Sequence, residues 1–330
     1  MNNYLKATVS GVAAAMIAMG ASVLPAASEE VTLRAASVWP KNFHITQSFL
    51  RYVDKVNEEG KGVVQIQFLG GPEVIPANEL PAALRRGAVD MFHGSSAYTQ
   101  GSVPESDAFV ASTQTAAEMR ESGAFDLMDE IYQTKLNAKL VGLVDRGWSF
   151  LLYLRNEPKI VDGKVDLTGV NIRSHPLYNE FLSSLGATPV VVTTTELYTS
   201  FERGMVDGLA FPEVGIRDFN LEKFIQHVVY PPFYLADIIY LVNKDKWDLL
   251  PREAQAVLLK TAEEFEAESR EYYQGLVKEE ELKLQELGIT RVDLPPEVAE
   301  NYLSKANEVP WTRIERADPS NLDALRKVIQ

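Results

Sequence analysis

The sequence predicts an α/β fold of two lobes joined by hinge strands, and three features of the chain support this prediction. Residues 166–215 read as strand, helix, strand, helix and strand in succession. Residues 79–90 repeat part of that pattern. A helical pattern from Pro251 to about Gly288 is too long for one lobe, because a helix rises about 1.5 Å per residue. Alternating strands and helices are typical of parallel sheets covered by helices.

In residues 166–215, each helix is indicated by an apolar stripe that ends at a glycine. The first stripe lies within residues 181–185 and is followed by Gly186, and the second lies within residues 197–201 and is followed by Gly204. Apolar residues at helical spacing mark the buried face of a helix, and glycine commonly ends one. We therefore expect two short helices here.

Short apolar runs in the same segment predict buried strands. Residues 189–192 and 205–211 are strongly apolar, as strands of a parallel sheet usually are. The first strand of the segment ends at Arg173, and ligands of open α/β sheets collect at the carboxyl ends of strands. Arg173 is therefore expected to lie where a ligand would bind.

An internal repeat predicts that the two lobes are similar. Residues 79–90 and residues 196–207 share the pattern Glu-Leu, five residues, Arg-Gly, one residue, Val-Asp. The glycine of this pattern is expected to end a helix in the left-handed conformation, so that the chain returns sharply into a buried strand. Two such units imply two lobes and a cleft between them.

The N-terminal part of the chain extends the same pattern. A strand at residues 31–37, a helix from Phe43 to Gly60 and a strand at residues 63–69 form a β-α-β start. Residues 121–140 read as one longer helix. A parallel sheet is therefore expected in the first lobe.

Two extended segments are expected to cross between the lobes. They lie at residues 141–154 and 227–243, and the second is interrupted by a Pro-Pro pair. The late long helix would lie across both lobes. The predicted organisation is therefore a signal peptide at residues 1–28, a first lobe of residues 29–150 plus about 235–262, and a second lobe of residues 151–234 plus about 263–330.

Residues 1–28 have the three parts of a secretory signal. Lys6 precedes the weakly polar run of residues 9–24, and small residues up to Ser28 suit cleavage near that position. A membrane anchor is the alternative, but the run is short and rich in Ala and Gly, and no second run of spanning length occurs. We expect an exported protein, and the bacterial periplasm is the expected compartment.

Composition narrows the range of partners. The chain has 330 residues, 46% of them hydrophobic, and a formal net charge of −14. Nucleic acid and anionic membrane surfaces are unfavourable partners for so acidic a protein. With no cysteine in the sequence, disulfides and thiolate metal sites are excluded.

The sequence shows no catalytic or cofactor motif. The four histidines lack the spacing of metal ligands, and no phosphate-binding or dinucleotide-binding glycine pattern is present. Ser95 and Ser96 follow His93-Gly94, but the second glycine of a nucleophile elbow is missing and no base can be assigned. A periplasmic serine hydrolase is therefore only the weaker alternative, and we expect neither an enzyme nor a cofactor nor a metal site.

Arg173 and a set of aromatic residues are the candidate ligand-binding groups. A guanidinium fits a carboxylate bidentately, although an internal acid such as Glu180 or Glu213 could occupy it instead, and the pattern leaves both possibilities open. The aromatic residues fall at predicted strand ends or crossings, where they could be core or could form an apolar box around a carboxylate-bearing ligand: Trp39, Tyr98, Trp148, Tyr153, Phe211 and Tyr234.

Four short motifs carry a resemblance to a known family. In order they are Leu-Thr-Gly-Val-Asn-Ile-Arg at residues 167–173, Leu-Gly-Ala-Thr-Pro-Val at 185–190, Glu-Leu-Tyr at 196–198 and Gly-Met-Val-Asp-Gly at 204–208. This order resembles the DctP-like family 7 substrate-binding proteins of TRAP (tripartite ATP-independent periplasmic) transporters. The likeness extends over essentially the whole mature chain and is most specific between Arg173 and Pro212.

The resemblance implies a fold, a function and partners. It implies the two-lobe periplasmic binding protein fold, with hinge strands and a long helix spanning both lobes. The protein would capture an organic carboxylate through Arg173, close around it, and deliver it to a TRAP permease made of a small and a large membrane subunit. A sensor or scavenger of the same fold without a permease remains open.

Departures from the family pattern bear on the ligand. Phe211 stands where relatives commonly have a ligand-contacting asparagine, residues 193–195 are three threonines in place of a more apolar run, and Ser149 stands where sialic-acid binders have a second arginine. We therefore expect a monocarboxylate or an acid with an apolar or aromatic body, with a C4-dicarboxylate or another small organic acid as the alternative. The expected ligand-binding residues are Arg173, Phe211, Trp148, Tyr98, Ser95, Ser96, Glu73, Trp39 and Tyr234.

Overall fold

Two β-sheets, one in each half of the molecule, organise the chain in the computed structural model. The structure describes residues 30–329. The predicted signal peptide at residues 1–28 lies outside the described residues. In the described part of the chain, no helix combines the length and the apolar character needed to cross a bilayer.

The first sheet has five strands and is built mainly from the N-terminal third of the chain. Its strand order is β2-β1-β3-β12-β4, and β1 is parallel to both β2 and β3, as predicted. The elements are β1 (Val31–Ser37), α1 (His44–Glu59), β2 (Val64–Gly70), α2 (Leu80–Arg85), β3 (Met91–Ser95), α3 (Ala108–Ala111), α4 (Ala116–Glu121), α5 (Ala124–Leu136), β4 (Ala138–Val144), and, later in the chain, β12 (Ile238–Asn243) and α8 (Lys244–Asp248).

The second sheet has six strands in the order β13-β11-β5-β10-β8-β9. The strand-helix-strand-helix-strand reading of residues 166–215 is confirmed by β8, α6, β9, α7 and β10. The elements are β5 (Ser149–Leu154), the small pair β6 (Lys159–Val161) and β7 (Lys164–Asp166), β8 (Asn171–Ser174), α6 (Asn179–Ser184), β9 (Thr188–Val191), α7 (Leu197–Glu202), β10 (Gly208–Pro212), β11 (His227–Leu235) and β13 (Thr290–Asp293).

The internal repeat of the sequence corresponds to a repeated structural unit. In both sheets the first strand of the unit lies between the second and the third, in the orders β2-β1-β3 and β9-β8-β10. Asp90 accepts a hydrogen bond from the Arg34 backbone N–H at 2.9 Å, and Asp207 accepts one from the Asn171 N–H at 3.0 Å. The glycine of each repeat has a positive φ, so the shared pattern encodes the same turn twice.

Two short crossings connect the sheets, as predicted. The first joins β4 to β5 through residues 145–148, and the second joins β11 to β12 through Ala236 and Asp237. They run side by side, because the Ala236 N–H donates to the Trp148 carbonyl at 2.9 Å. The buried guanidinium of Arg146 also donates to the Ala236 carbonyl at 2.8 Å. This pair of crossings is the hinge of the fold.

The three C-terminal helices are α9 (Arg252–Glu286), α10 (Pro296–Ala317) and α11 (Leu322–Ile329). The long helix α9 spans both lobes: Glu266 pairs with Arg120 of the first lobe, and Glu280 pairs with Arg217 of the second. The backbone carbonyl of Val328 in α11 accepts from Gln114 of the first lobe. The assignment of residues 263–330 to the second lobe stays a prediction, and the segment contacts both.

The single helix predicted at residues 121–140 is wrong. The chain forms α4, then α5 from Ala124 to Leu136, and residue 138 already begins β4. Gly123 has φ 82° and Asn137 has φ 52°, so a left-handed residue bounds α5 at each end. Glycine and asparagine adopt this conformation most readily, and the helical spacing of the apolar residues did not reveal these breaks.

Asp145 in the first crossing should make stability depend on pH. Burial raises the pKa of this carboxyl from 3.8 to about 7, although Ser48 donates to it at 2.8 Å. The native state therefore holds a proton that the unfolded chain has already released, and stability from this group falls as pH rises from about 4 to about 7.

We expect Asp145→Asn to remove this dependence, and asparagine tolerates the positive φ of 59° at this position. The unfolding free energy of the variant minus that of wild type should be larger at pH 8 than at pH 5 by about 2–3 kcal/mol. Urea denaturation at both pH values measures the difference. A difference between variant and wild type that is the same at both pH values would contradict the assignment.

Candidate functional site: a cleft between the lobes

A cavity of about 640 Å³ lies between the two sheets and beside the hinge. Its walls come from three places. The first lobe contributes chiefly Trp39, Phe43, Glu73, Ser95 and Tyr98, the second contributes Arg173, His175, Tyr178, residues 191–195 and Phe211, and the crossings contribute Trp148 and Asp237. A small molecule bound here would touch both lobes and the hinge at once.

Arg173 lies at the C-terminal end of β8, and its side chain lines the cavity although only 4% of the residue is exposed. Nη1 donates to the Tyr178 hydroxyl at 3.0 Å, and Nη2 donates to the Val192 carbonyl at 3.1 Å. Nε is buried and makes no hydrogen bond with residues 30–329. The guanidinium is therefore held in place by neutral groups and keeps donor capacity.

The internal-acid alternative for Arg173 does not hold. Glu180 pairs with Arg316 at 2.6 Å, and Glu213 accepts the Ser149 N–H at 2.7 Å. Within residues 30–329, no acidic side chain lies within salt-bridge distance of Arg173. A buried guanidinium without a counter-charge is costly unless an anion joins it.

Aromatic side chains form much of the cavity wall, and four of the six aromatic residues singled out from the sequence line it: Trp39, Tyr98, Trp148 and Phe211. The Arg173 guanidinium lies 5.9 Å from the centre of the Phe211 ring. Trp39 and Tyr98 meet edge to face at 6.1 Å, and Trp148 packs on Phe150 with ring centres 5.2 Å apart. These rings give the cavity a largely apolar surface that a hydrocarbon or aromatic body would fill.

The two serines have different positions. Ser95 lines the cavity, whereas Ser96 is buried and does not line it. Both hydroxyls donate to Asp237, whose carboxyl pKa is raised by burial. The serines are therefore engaged as donors to one buried carboxylate, and His93 is turned toward Ser37 instead, at 2.9 Å.

Of the remaining residues predicted from the sequence, some line the cavity and others lie in the core. Glu73 and Trp39 line the cavity, and Glu73 accepts the Gly71 N–H at 2.7 Å. Tyr234 does not line it, because its ring packs against Phe181 and Phe233 in the core of the second lobe. Tyr153 is also core, with its hydroxyl donating to the Pro212 carbonyl. Ser96, Tyr234 and Tyr153 therefore do not contribute to the cavity wall.

Several wall residues were not predicted from the sequence. His175 could have been found, because it lies two residues after Arg173 and alternate residues of an extended chain share a face. Tyr178 and Asp237 gave no comparable signal. Tyr178 reaches Arg173 only through the turn after β8, and Asp237 depends on the pairing of β12 with β3.

Known proteins of one family are similar to this chain in sequence. A sequence model described as bacterial extracellular solute-binding protein, family 7, matches residues 35–315. The chain is 27% identical over 257 residues to a monocarboxylate 2-oxoacid-binding periplasmic protein of Nostoc sp., covering 73% of this chain and 67% of the relative. It is 23% identical over 281 residues to a C4-dicarboxylate-binding periplasmic protein of Rhodobacter capsulatus, covering 82% and 81%.

Solved structures show the same fold. A TRAP transporter solute-binding protein from Bordetella bronchiseptica superposes with a TM-score of 0.78 at 22% identity, covering 91% of this chain and 92% of the other. That protein carries copurified calcium and picolinate in its active site. The two-lobe fold expected from the sequence is therefore confirmed.

Proposed function

Because the chain belongs to the bacterial extracellular solute-binding proteins of family 7, which are transport proteins and not enzymes, we propose that it captures an organic carboxylate in the periplasm for a TRAP permease. One observation carries the carboxylate assignment: Arg173 lies in the wall of an apolar cavity with no acidic partner among residues 30–329. A carboxylate would supply the missing counter-charge and accept charge-assisted hydrogen bonds.

The charge of the cavity wall favours a ligand with one carboxylate. Arg173 is the only lysine or arginine among the described residues that line the cavity, while two acidic residues, Glu73 of the first lobe and Asp237 of the second crossing, also line it. A second carboxylate on the ligand would face these acids without a cation of its own, which is unfavourable. This argues for a monocarboxylate, as for the Nostoc relative, over a C4-dicarboxylate, as for the Rhodobacter relative.

Closure of the lobes on the ligand is the proposed mechanism. Two pairs of rings meet across the lobes. The ring centres of Tyr98 in the first lobe and His175 in the second are 5.3 Å apart, and those of Phe43 in the first lobe and Phe219 in the second are 5.6 Å apart. A ligand that touches both lobes binds this closed arrangement better than an open one, and so shifts the population toward it. The closed form would then be the species that the permease recognises.

A thermal-shift screen of the mature protein against organic acids tests the proposal. A true ligand stabilises the native state by mass action, so saturating monocarboxylates should raise the melting temperature by several degrees. Parallel samples with calcium, with sodium and with a chelator test whether a cation assists, because the Bordetella neighbour holds calcium. If neutral sugars or amines stabilise the protein and no organic acid does, the proposal is wrong.

Delivery to a permease needs its own test. Proteoliposomes that contain the small and large membrane subunits of a cognate TRAP permease should take up the identified acid only when this protein is present. A sensor or scavenger would bind the same acid and support no uptake.

Phe211 is proposed to set the preference for an apolar body. Phe211→Asn should weaken binding of 4-methylpentanoate about ten-fold and binding of succinate much less, because the ring supplies apolar contact area and few hydrogen bonds. Phe211→Leu is the matched control: it keeps an apolar side chain and should retain most of the affinity. Isothermal titration calorimetry measures both ligands. Equal losses for the two acids in Phe211→Asn would argue against this role.

A further inference from the structure

His175 is a cavity residue whose orientation is fixed by the backbone. It follows β8, two residues after Arg173, and lines the same cavity. The Leu177 backbone N–H donates to Nδ1 of His175 at 3.3 Å. A backbone N–H can only donate, so Nδ1 must be the acceptor, and the ring proton of the neutral imidazole is on Nε2. Nε2 makes no hydrogen bond with residues 30–329.

The imidazole is neutral in its native setting. Burial, together with the positive charges of Arg173 and Arg313, lowers the pKa of His175 to about 3. Arg313 is itself held close by, since it donates to the Leu177 carbonyl at 2.6 Å. At any pH above about 5 the ring therefore offers one neutral N–H donor and adds no second positive charge to the site.

Neighbouring rings restrict how this donor can move. His175 packs against Tyr98 of the opposite lobe at 5.3 Å and against Tyr178 at 6.1 Å. The donor is thus ordered at the point where the two lobes meet. A hydrogen bond made by an already ordered group costs little additional conformational entropy.

We propose that His175 donates its Nε2–H to a second acceptor atom on the ligand, so that the site selects acids bearing an oxo oxygen or ring nitrogen beside the carboxylate over plain acids. The spacing supports this placement. Arg173 and His175 are alternate residues of an extended segment, so their Cα atoms are about 6.6 Å apart and their side chains share a face. The inference rests on the proposed carboxylate function and specifies the class of acid. A ligand that leaves the Nε2–H without an acceptor binds less well than one that accepts its hydrogen bond.

Matched pairs of acids that differ in one acceptor test the inference by calorimetry. The pairs are 2-oxo-4-methylpentanoate with 4-methylpentanoate, and pyridine-2-carboxylate with benzoate. Wild-type protein should prefer the first member of a pair by about ten-fold, which corresponds to about 1.4 kcal/mol for one hydrogen bond. His175→Phe should abolish that preference by weakening the acceptor-bearing acid about ten-fold while changing its plain partner less than three-fold.

Two further variants separate a binding role from a structural one. His175→Gln keeps an N–H donor at a similar reach and should restore part of the preference. His227→Phe replaces a half-buried histidine of β11 that does not line the cavity, and it should leave the preference unchanged.

The outcomes distinguish this inference from the proposed function. Equal binding of both members by wild type, or equal losses of both in His175→Phe, would overturn the role of His175 while the carboxylate proposal stands. If wild type binds none of the four acids and the wider screen yields only non-acidic ligands, both fall together.

Discussion

Replacing Arg173 with methionine is expected to lower affinity for the carboxylate ligand by about 100-fold or more. The variant removes two charge-assisted hydrogen bonds to the ligand, each worth about 1.5–3 kcal/mol, from an arginine that is only 4% exposed. Methionine keeps much of the side-chain volume, and the Tyr178 hydroxyl retains its own bond to the Ala210 carbonyl at 3.0 Å. The fold should therefore survive, and calorimetry with the acid identified by the screen measures the loss.

Arg203→Met is the control for this experiment. Arg203 is an exposed arginine of the same lobe that does not line the cavity, so its removal changes net charge equally without touching the site. It should leave affinity within about two-fold, because exposed charges are screened by salt. Retention of affinity within three-fold in Arg173→Met, with an unchanged circular dichroism spectrum, would refute the assignment of Arg173.

Replacing Gly147 with alanine is expected to disturb both stability and binding, because Gly147 lies in the first crossing against the long helix. An added Cβ would lie 2.1 Å from the Arg270 backbone carbonyl oxygen and 3.0 Å from the Tyr273 Cβ. The obstacle is helix backbone, which cannot move aside cheaply, so the crossing must shift. Overpacking of this kind costs about 1–3 kcal/mol, and a displaced hinge should also lower ligand affinity.

Gly275→Ala provides the comparison on the same long helix. Nothing lies within 4 Å of a Cβ at that position, and alanine is favoured over glycine inside a helix by about 1 kcal/mol. It should be neutral or stabilising, and binding should not change. Thermal melts and calorimetry of both variants decide the matter. A Gly147→Ala protein that melts and binds like wild type would show that the crossing tolerates displacement.

Local patterns in the sequence were sufficient to predict most of the second lobe. The stripe within residues 181–185 and the glycine after it predicted α6, and the repeated Arg-Gly-x-Val-Asp pattern predicted the matching turns of the two lobes. These features depend on interactions between residues close in the chain, which composition and spacing express directly. The same patterns did not reveal that residue 123 interrupts a helix, because a single left-handed glycine leaves the apolar spacing on either side intact.

The α/β class, the repeated unit and the position of Arg173 at a strand end could be read from residues that lie close together in the chain. Three further properties appear only in the folded chain: Arg173 has no acidic partner among the described residues, Ser95 faces the cavity while Ser96 does not, and His175 packs against Tyr98 of the opposite lobe. These three properties depend on which groups meet across the sheets and crossings. Such meetings join residues tens to hundreds of positions apart, and no local spacing records them.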